Sequence, residues 1–131
     1  MIVYTESLSG ITEDQLSGFF VGWVKVPPRA VHLKVLENSS HVILAKDSET
    51  GQVVGFINAL SDAVMTAYIP MLEVLPDYQS QGIGTELMKR MLAKLGNLYM
   101  IDLLCDADLQ PFYGRFGMQK TTGMMIRTMH E

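Results

Sequence analysis

A single cysteine, Cys105, excludes an internal disulfide. Ten Lys and Arg against fourteen Asp and Glu leave a net charge of −4. No basic run forms a positive face, so nucleic acid is not an expected partner. The mild acidity does nothing to repel a cationic amine. No apolar stretch reaches the ~18 residues that cross a bilayer, and no membrane partner is expected. Met1 to Glu6 lacks the basic-then-apolar pattern of a signal peptide. His32, His41 and His130 carry no metal spacing. They read as solvated or structural, and no metal is expected. What is present is a hydrophobic content of 48%, enough for a folded core. At 131 residues the expectation is one cytoplasmic domain, 1–131.

Ile2 to Thr5 suits a short strand. Thr12-Glu13-Asp14-Gln15 reads as a capping box, and Leu16, Phe19, Phe20 and Trp23 follow at near-helical spacing. Pro27-Pro28 breaks that helix. Pro28 suits the first turn of a second helix, with Val31, Val35 and Leu36 on its apolar side and a stop near Asn38-Ser39-Ser40. His41 to Lys46 and Gln52 to Leu60 read as a hairpin around Ser48–Gly51. Val64 to Leu75 is a third strand. It contains Pro70, which cannot donate to a ladder, and a kink is expected near Pro70 to Glu73. Ile83, Leu87, Met91 and Leu95 recur every four residues as an amphipathic helix closed by Gly96. Leu98 to Cys105 is almost continuously apolar, a strand buried on both faces. Leu109 to Phe116 suits a short helix, and Met124 to Met129 a last strand. This order predicts an α/β fold, a mixed sheet with helices packed on it.

Between the third strand and the amphipathic helix lies Gln79-Ser80-Gln81-Gly82-Ile83-Gly84-Thr85. Two glycines let the backbone approach a ligand, and the helix start leaves N–H groups without internal partners. With the positive end of the helix dipole, those donors suit phosphate oxygens. A Walker loop would need lysine after Gly84, where Thr85 stands. A dinucleotide fingerprint would need glycine at 87, where Leu87 stands. Both fail.

Gln79, Gly82 and Gly84 occupy the positions of the Gln/Arg-x-x-Gly-x-Gly/Ala loop that binds acetyl-CoA in the GNAT superfamily of N-acetyltransferases. A second block, Asp108 to Met118, resembles that family's Phe-Tyr-x-x-x-Gly-Phe segment through Phe112, Tyr113 and Gly117, with Met118 in place of the last Phe. The resemblance covers Tyr68 to Met118 closely and the N-terminal part only in element order. It implies a mixed, mostly antiparallel central sheet with a splayed strand pair and helices on both faces. It implies acetyl-CoA as co-substrate, with pantetheine along Leu72 to Leu75 (Val74 and Leu75 foremost) and pyrophosphate on Gln81 to Thr85. Gln79, Ser80, Gln81, Gly82, Ile83, Gly84, Thr85, Phe112 and Tyr113 complete the expected cofactor contacts.

The implied reaction is acetyl transfer to a primary amine, on a small molecule or a peptide, by direct attack. The alternative is a non-catalytic acyl-CoA-binding or sensing module that keeps the glycines and discards the proton chemistry. Tyr113 either packs its ring or protonates the departing thiolate, as family members often use this position. Glu73, the lone carboxylate in an apolar run, is either the base for the ammonium substrate or a structural hydrogen-bond acceptor. Cys105 reads as a small core residue rather than an acyl carrier. Asp106 and Asp108 read as turn and cap residues. Phe19, Phe20 and Trp23 are core or, alternatively, an acceptor roof; Asn58, Ser61 and Asp62 are candidate polar contacts. Ten methionines, Met124, Met125 and Met129 among them, fill gaps in the core or mark a homodimer face.

Overall fold

A computed structural model of the chain describes residues 1–128. Five strands form one sheet in the order β1-β2-β3-β4-β5: β1 Ile2–Thr5, β2 His41–Asp47, β3 Val53–Ser61, β4 Thr66–Val74 and β5 Met100–Asp102. The first four pair antiparallel, and β5 runs parallel to β4. The parallel pair is reached through a crossover helix, α2, Ile83–Leu95. A shorter helix, α1, covers Arg29–Glu37, and α3 covers Gln110–Gly114. No helix of the described residues is long and apolar enough to cross a membrane.

Alternation along the strands sends side chains to two cores. Ile43, Ala45, Ile57 and Ala59 meet α2 through Ile83, Leu87, Met88, Met91 and Leu95. Val42, Leu44, Val53 and Phe56 face the other way, against Leu16, Phe19, Phe20 and Leu36. The α2 helix approaches β3 closely because Gly55 has no side chain. A Cβ there would stand 3.1 Å from Leu87 and 3.2 Å from Ile83.

The expected kink in β4 is present as a register slip. Asn58 faces Met71 and Leu60 faces Tyr68, so Ile69 and Pro70 share one position opposite Ala59. The predicted span of α2 matches the observed one, and both hairpin strands fall within a residue or two.

Four expectations are corrected. The predicted helix through Trp23 is only a 3-10 turn, Glu13–Leu16, with the capping box of Thr12 and Gln15 in place. Gly18, Phe20 and Gly22 then take left-handed backbone angles, which no helix can contain. On α1 the buried residues are His32 and Leu36, while Val31 is exposed. The buried strand Leu98–Cys105 pairs only over Met100–Asp102 and is an edge, because β4 turns away after Tyr68. No strand forms over Met124–Thr128, since the segment has no ladder neighbour; Met129 lies outside the described residues.

Candidate active site

Three elements converge on the start of α2. The loop before it is anchored by a turn at Pro76–Tyr78, whose Tyr78 hydroxyl donates to Asp47 at the end of β2 (2.8 Å). Gly82 is the N-cap and sits at φ 84 with no side-chain cap. The first described α2 bond runs from the Glu86 N–H to the Gly82 carbonyl (3.0 Å). The N–H groups of Ile83, Gly84 and Thr85 therefore precede the ladder and point out of its open end. A Cβ on Gly82 would meet nothing within 4 Å. Glycine is needed there for its left-handed angle and not for space.

Arg115 reaches the same place. Its Nη2 donates to Thr85 Oγ1 (3.1 Å), and its guanidinium lies 5.0 Å from the centre of the Phe112 ring. Sequence reasoning passed over this residue. Its one local signal was its place directly after Phe112-Tyr113-Gly114.

The last part of β4 has a strand on one side only. Pairing with β5 ends at Tyr68–Asp102, while pairing with β3 continues to Val74. The Leu75 N–H donates to the Val54 carbonyl (2.8 Å). Backbone groups alternate sides along a ladder, so those of Val74 point away from β3, into the gap. The Val74 carbonyl accepts from Gln79 Nε2 there (3.0 Å). Its N–H faces the same opening.

Glu73, on the opposite face, is engaged from the N-terminal loop. Its two carboxylate oxygens accept from the Phe20 N–H (2.9 and 3.0 Å), and Oε2 also accepts from the Val21 N–H (3.3 Å). Phe20 holds φ 65, and the turned backbone presents successive N–H groups to the anion. The structural alternative for Glu73, a hydrogen-bond acceptor, is therefore occupied by this loop.

Tyr113 lies half-buried in α3, its ring 5.0 Å from that of Phe112. Burial, with a smaller contribution from the nearby Cys105, pushes its hydroxyl up to about 12. Burial and the charges of Asp106 and Asp108 likewise push the Cys105 thiol up. Cys105 stays protonated and is no activated nucleophile. A cavity of about 810 Å³ opens beside both, bounded by Tyr68, Met100 and residues 119–123.

The acceptor candidates separate. Phe19 is buried and packs edge-on against Phe56 and His32. Trp23 is half-exposed and leans on the Phe20 ring at 4.8 Å. Asn58 is buried, donates to Ser39 Oγ (3.0 Å), and leaves its Oδ1 without a partner among the described residues. Ser61 and Asp62 tie down the turn into β4, with Asp62 Oδ1 accepting three backbone N–H groups. Asp106 precedes the turn Ala107–Leu109 with no side-chain cap bond. No group of three or more His, Cys, Asp or Glu among the described residues could hold a metal.

A parallel pair that parts beside an uncapped, glycine-initiated helix leaves open backbone groups next to a helix start suited to an anion, and the comparisons place the chain. The chain matches the Acetyltransferase (GNAT) family over residues 8–118 and belongs to that family. It is 33% identical over 104 residues to the uncharacterized N-acetyltransferase ycf52 of Porphyra purpurea, covering 76% of this chain. That match spans only 59% of the algal protein's length. It is 38% identical over 86 residues, 60% of this chain and 36% of the relative, to the chloroplastic GCN5-related N-acetyltransferase 3 of Arabidopsis thaliana. A crystal structure from Deinococcus radiodurans R1, of a protein assigned to the acetyltransferases, superposes with a TM-score of 0.93 at 44% identity. It covers 96% of this chain and 87% of that one. A GNAT-family acetyltransferase from Streptococcus pneumoniae TIGR4 gives 0.79 at 29% identity, covering 99% and 100%.

Proposed function

We propose that residues 1–131 form one N-acetyltransferase domain that moves the acetyl group of acetyl-CoA to a primary amine by direct attack. The observation that carries this reading is a meeting point. A Cβ on Gly84 would lie 3.7 Å from Phe112 and 3.8 Å from Val74, so the phosphate loop, the open strand edge and the tyrosine helix touch at one residue. Acetyl-CoA supplies the activated thioester. Gln81 to Thr85 offer N–H donors to its pyrophosphate at the positive end of α2, and Arg115 adds a cation beside Thr85. Gln79, Ser80 and Leu75 shape the approach to that loop. The Val74 N–H, free in the gap, donates to the thioester carbonyl oxygen, where negative charge develops. Tyr113 donates its proton at sulfur.

Glu73 takes the ammonium proton through a water, since its carboxylate is already anchored to Phe20 and Val21. Trp23, exposed on the loop that Glu73 holds, borders the acceptor, a small-molecule or peptide amine. A cytoplasmic setting fits the lone cysteine. Glu73→Gln keeps an acceptor for the loop and removes the base. It should lower kcat/KM by about tenfold or more and change the pH–rate profile. An unchanged profile would leave Glu73 as an anchor only.

Calorimetry with coenzyme A tests the whole reading. The native chain should bind at micromolar concentration. Gly82→Val forces a branched side chain to φ 84, which costs about 1–2 kcal/mol, and should weaken binding about tenfold or more. No detectable binding at millimolar coenzyme A would reject the reading. Tight binding with no thiol release across a panel of amines would favour the sensing module.

A further inference from the structure

Asp47 and Tyr78 meet at the foot of the cofactor loop, and the proposed reaction uses neither. The Tyr78 hydroxyl donates to Asp47 Oδ2 (2.8 Å), although the two stand 31 positions apart in sequence. Asp47 is the last residue of β2 and is 9% exposed. Its other oxygen, Oδ1, accepts from the Glu49 N–H (2.9 Å). That N–H and the Tyr78 hydroxyl hold Asp47 below the ordinary carboxylate range. The bond is therefore a hydroxyl donated to an anion, which is stronger than a bond between neutral groups.

The Asp47 end of this bond is fixed. Its N–H donates to the Gln52 carbonyl (2.9 Å), and the Gly51 N–H donates back to the Asp47 carbonyl (2.8 Å). The turn between β2 and β3 is braced from outside as well. Gln15 Nε2 donates to the Gly51 carbonyl (2.9 Å), Gln52 Nε2 to the Ser17 carbonyl (3.1 Å), and the Ser48 N–H to the Met1 carbonyl (2.9 Å). A segment tied at this density opens only with the structure around it. The carboxylate stays in place while the loop beside it is free to move.

The loop is held far less. The Tyr78 N–H donates to the Leu75 carbonyl (2.9 Å) and the Gln79 N–H to the Pro76 carbonyl (3.3 Å), both inside the turn that opens the loop. Gln79 Nε2 reaches the Val74 carbonyl (3.0 Å). Beyond it, Ser80 and Gln81 are exposed and make no hydrogen bond among the described residues. Ser80 nevertheless stands at φ 64, a left-handed angle that a residue with a side chain keeps only under constraint, and Gly82 follows at φ 84. The shape of the loop thus rests on its two ends. One end is α2, and the other is the turn pinned by Tyr78 to Asp47.

We propose that Asp47 is a positioning residue for the cofactor loop. Through the hydroxyl of Tyr78 it holds Ser80 to Gly82 in the shape that lines up their N–H groups with those of Ile83 to Thr85. The inference rests on the acetyl-CoA reading given above. An unpinned loop visits conformations in which these donors no longer converge on a pyrophosphate. Apparent affinity then falls with the fraction of time the loop spends in the competent shape. The thioester is handled elsewhere, at Val74 and Tyr113, so the chemical step does not feel the bond.

Tyr78→Phe removes the hydroxyl and keeps the ring that packs on the α2 core. Calorimetry should show it binding coenzyme A about three- to tenfold more weakly than the native chain. KM for acetyl-CoA should rise in step, while kcat at saturating acetyl-CoA stays within about twofold. A residue that only stabilised the fold would lower the urea midpoint and leave affinity alone. Asp47→Asn removes the charge, keeps an oxygen for the Glu49 N–H, and should weaken binding in the same direction. The two residues act through one bond, so the double variant should bind within about twofold of Tyr78→Phe. Native affinity in either single variant, a fall in kcat as large as the rise in KM, or losses that multiply in the double variant would each overturn the proposal. Each single variant reads affinity by itself, so a misfolded one leaves the other to decide. A native chain that does not bind coenzyme A is a separate failure, which rejects the acetyl-CoA reading and this proposal with it.

Discussion

Tyr113→Phe should lower kcat by about 10²–10⁴-fold while leaving coenzyme A affinity within about twofold. The ring packs against Phe112 and the α2 core, and phenylalanine preserves that packing. Only the hydroxyl is lost, and none of the hydrogen bonds among the described residues takes it. Burial first, and Cys105 second, hold its pKa at about 12. The proton therefore stays on oxygen at every working pH. In the proposed reaction a donor this weak would suffice, because the same dry surroundings would raise the basicity of a sulfur leaving beside it. The sign of the linked stability follows. The folded value lies above the ordinary 10.0, so this contribution is present below pH 10 and is lost as pH rises toward 12. Thiol release from acetyl-CoA, measured with saturating amine, reads the effect. An unchanged kcat would remove Tyr113 from the chemistry and leave it a packing residue.

His32→Leu should make the protein markedly more acid-resistant. His32 is 1% exposed, and neither ring nitrogen has a hydrogen-bond partner among the described residues. The rings of Phe19, Phe20 and Phe56 surround it at 4.5 to 5.3 Å. Burial alone lowers its pKa to about 4. The folded form keeps the ring neutral, whereas the unfolded chain takes up a proton near pH 6.5. Stability tied to this group is complete above pH 6.5 and falls as pH drops toward 4, by up to about 3 kcal/mol. Leucine removes that slope and the two orphaned nitrogens together. Urea unfolding at pH 7 and at pH 4.5 should show the variant gaining most at the lower pH. A histidine resonance titrating near 6.5 in the folded protein and assigned to His32 would refute this.

What could be read in the sequence was what is local in the chain. The glycine loop and α2 follow one another within twenty residues, so turn chemistry and a four-residue period fixed both. Pro70 announced the slip in β4 for the same reason. The misses are non-local. Phe19, Phe20 and Trp23 keep helical spacing, yet Glu73, more than fifty residues away, holds the Phe20 N–H in a left-handed turn. Leu98 to Cys105 reads as a central strand because its composition is apolar, but strand length depends on where β4 departs. Arg115 meets Thr85 only after two helices dock. His32 carries no mark of burial in its own segment. It is drawn inward by three aromatic rings from other elements.

Pro70 has a consequence for how an occupant enters. A residue with no N–H stands at the point where the two parallel strands part, so the sheet has a rung missing from its covalent make-up. No ladder bond can be donated from that position in any state of the chain. In the proposed acetyltransfer, an incoming pantetheine arm would meet an edge of β4 already free of a neighbouring strand.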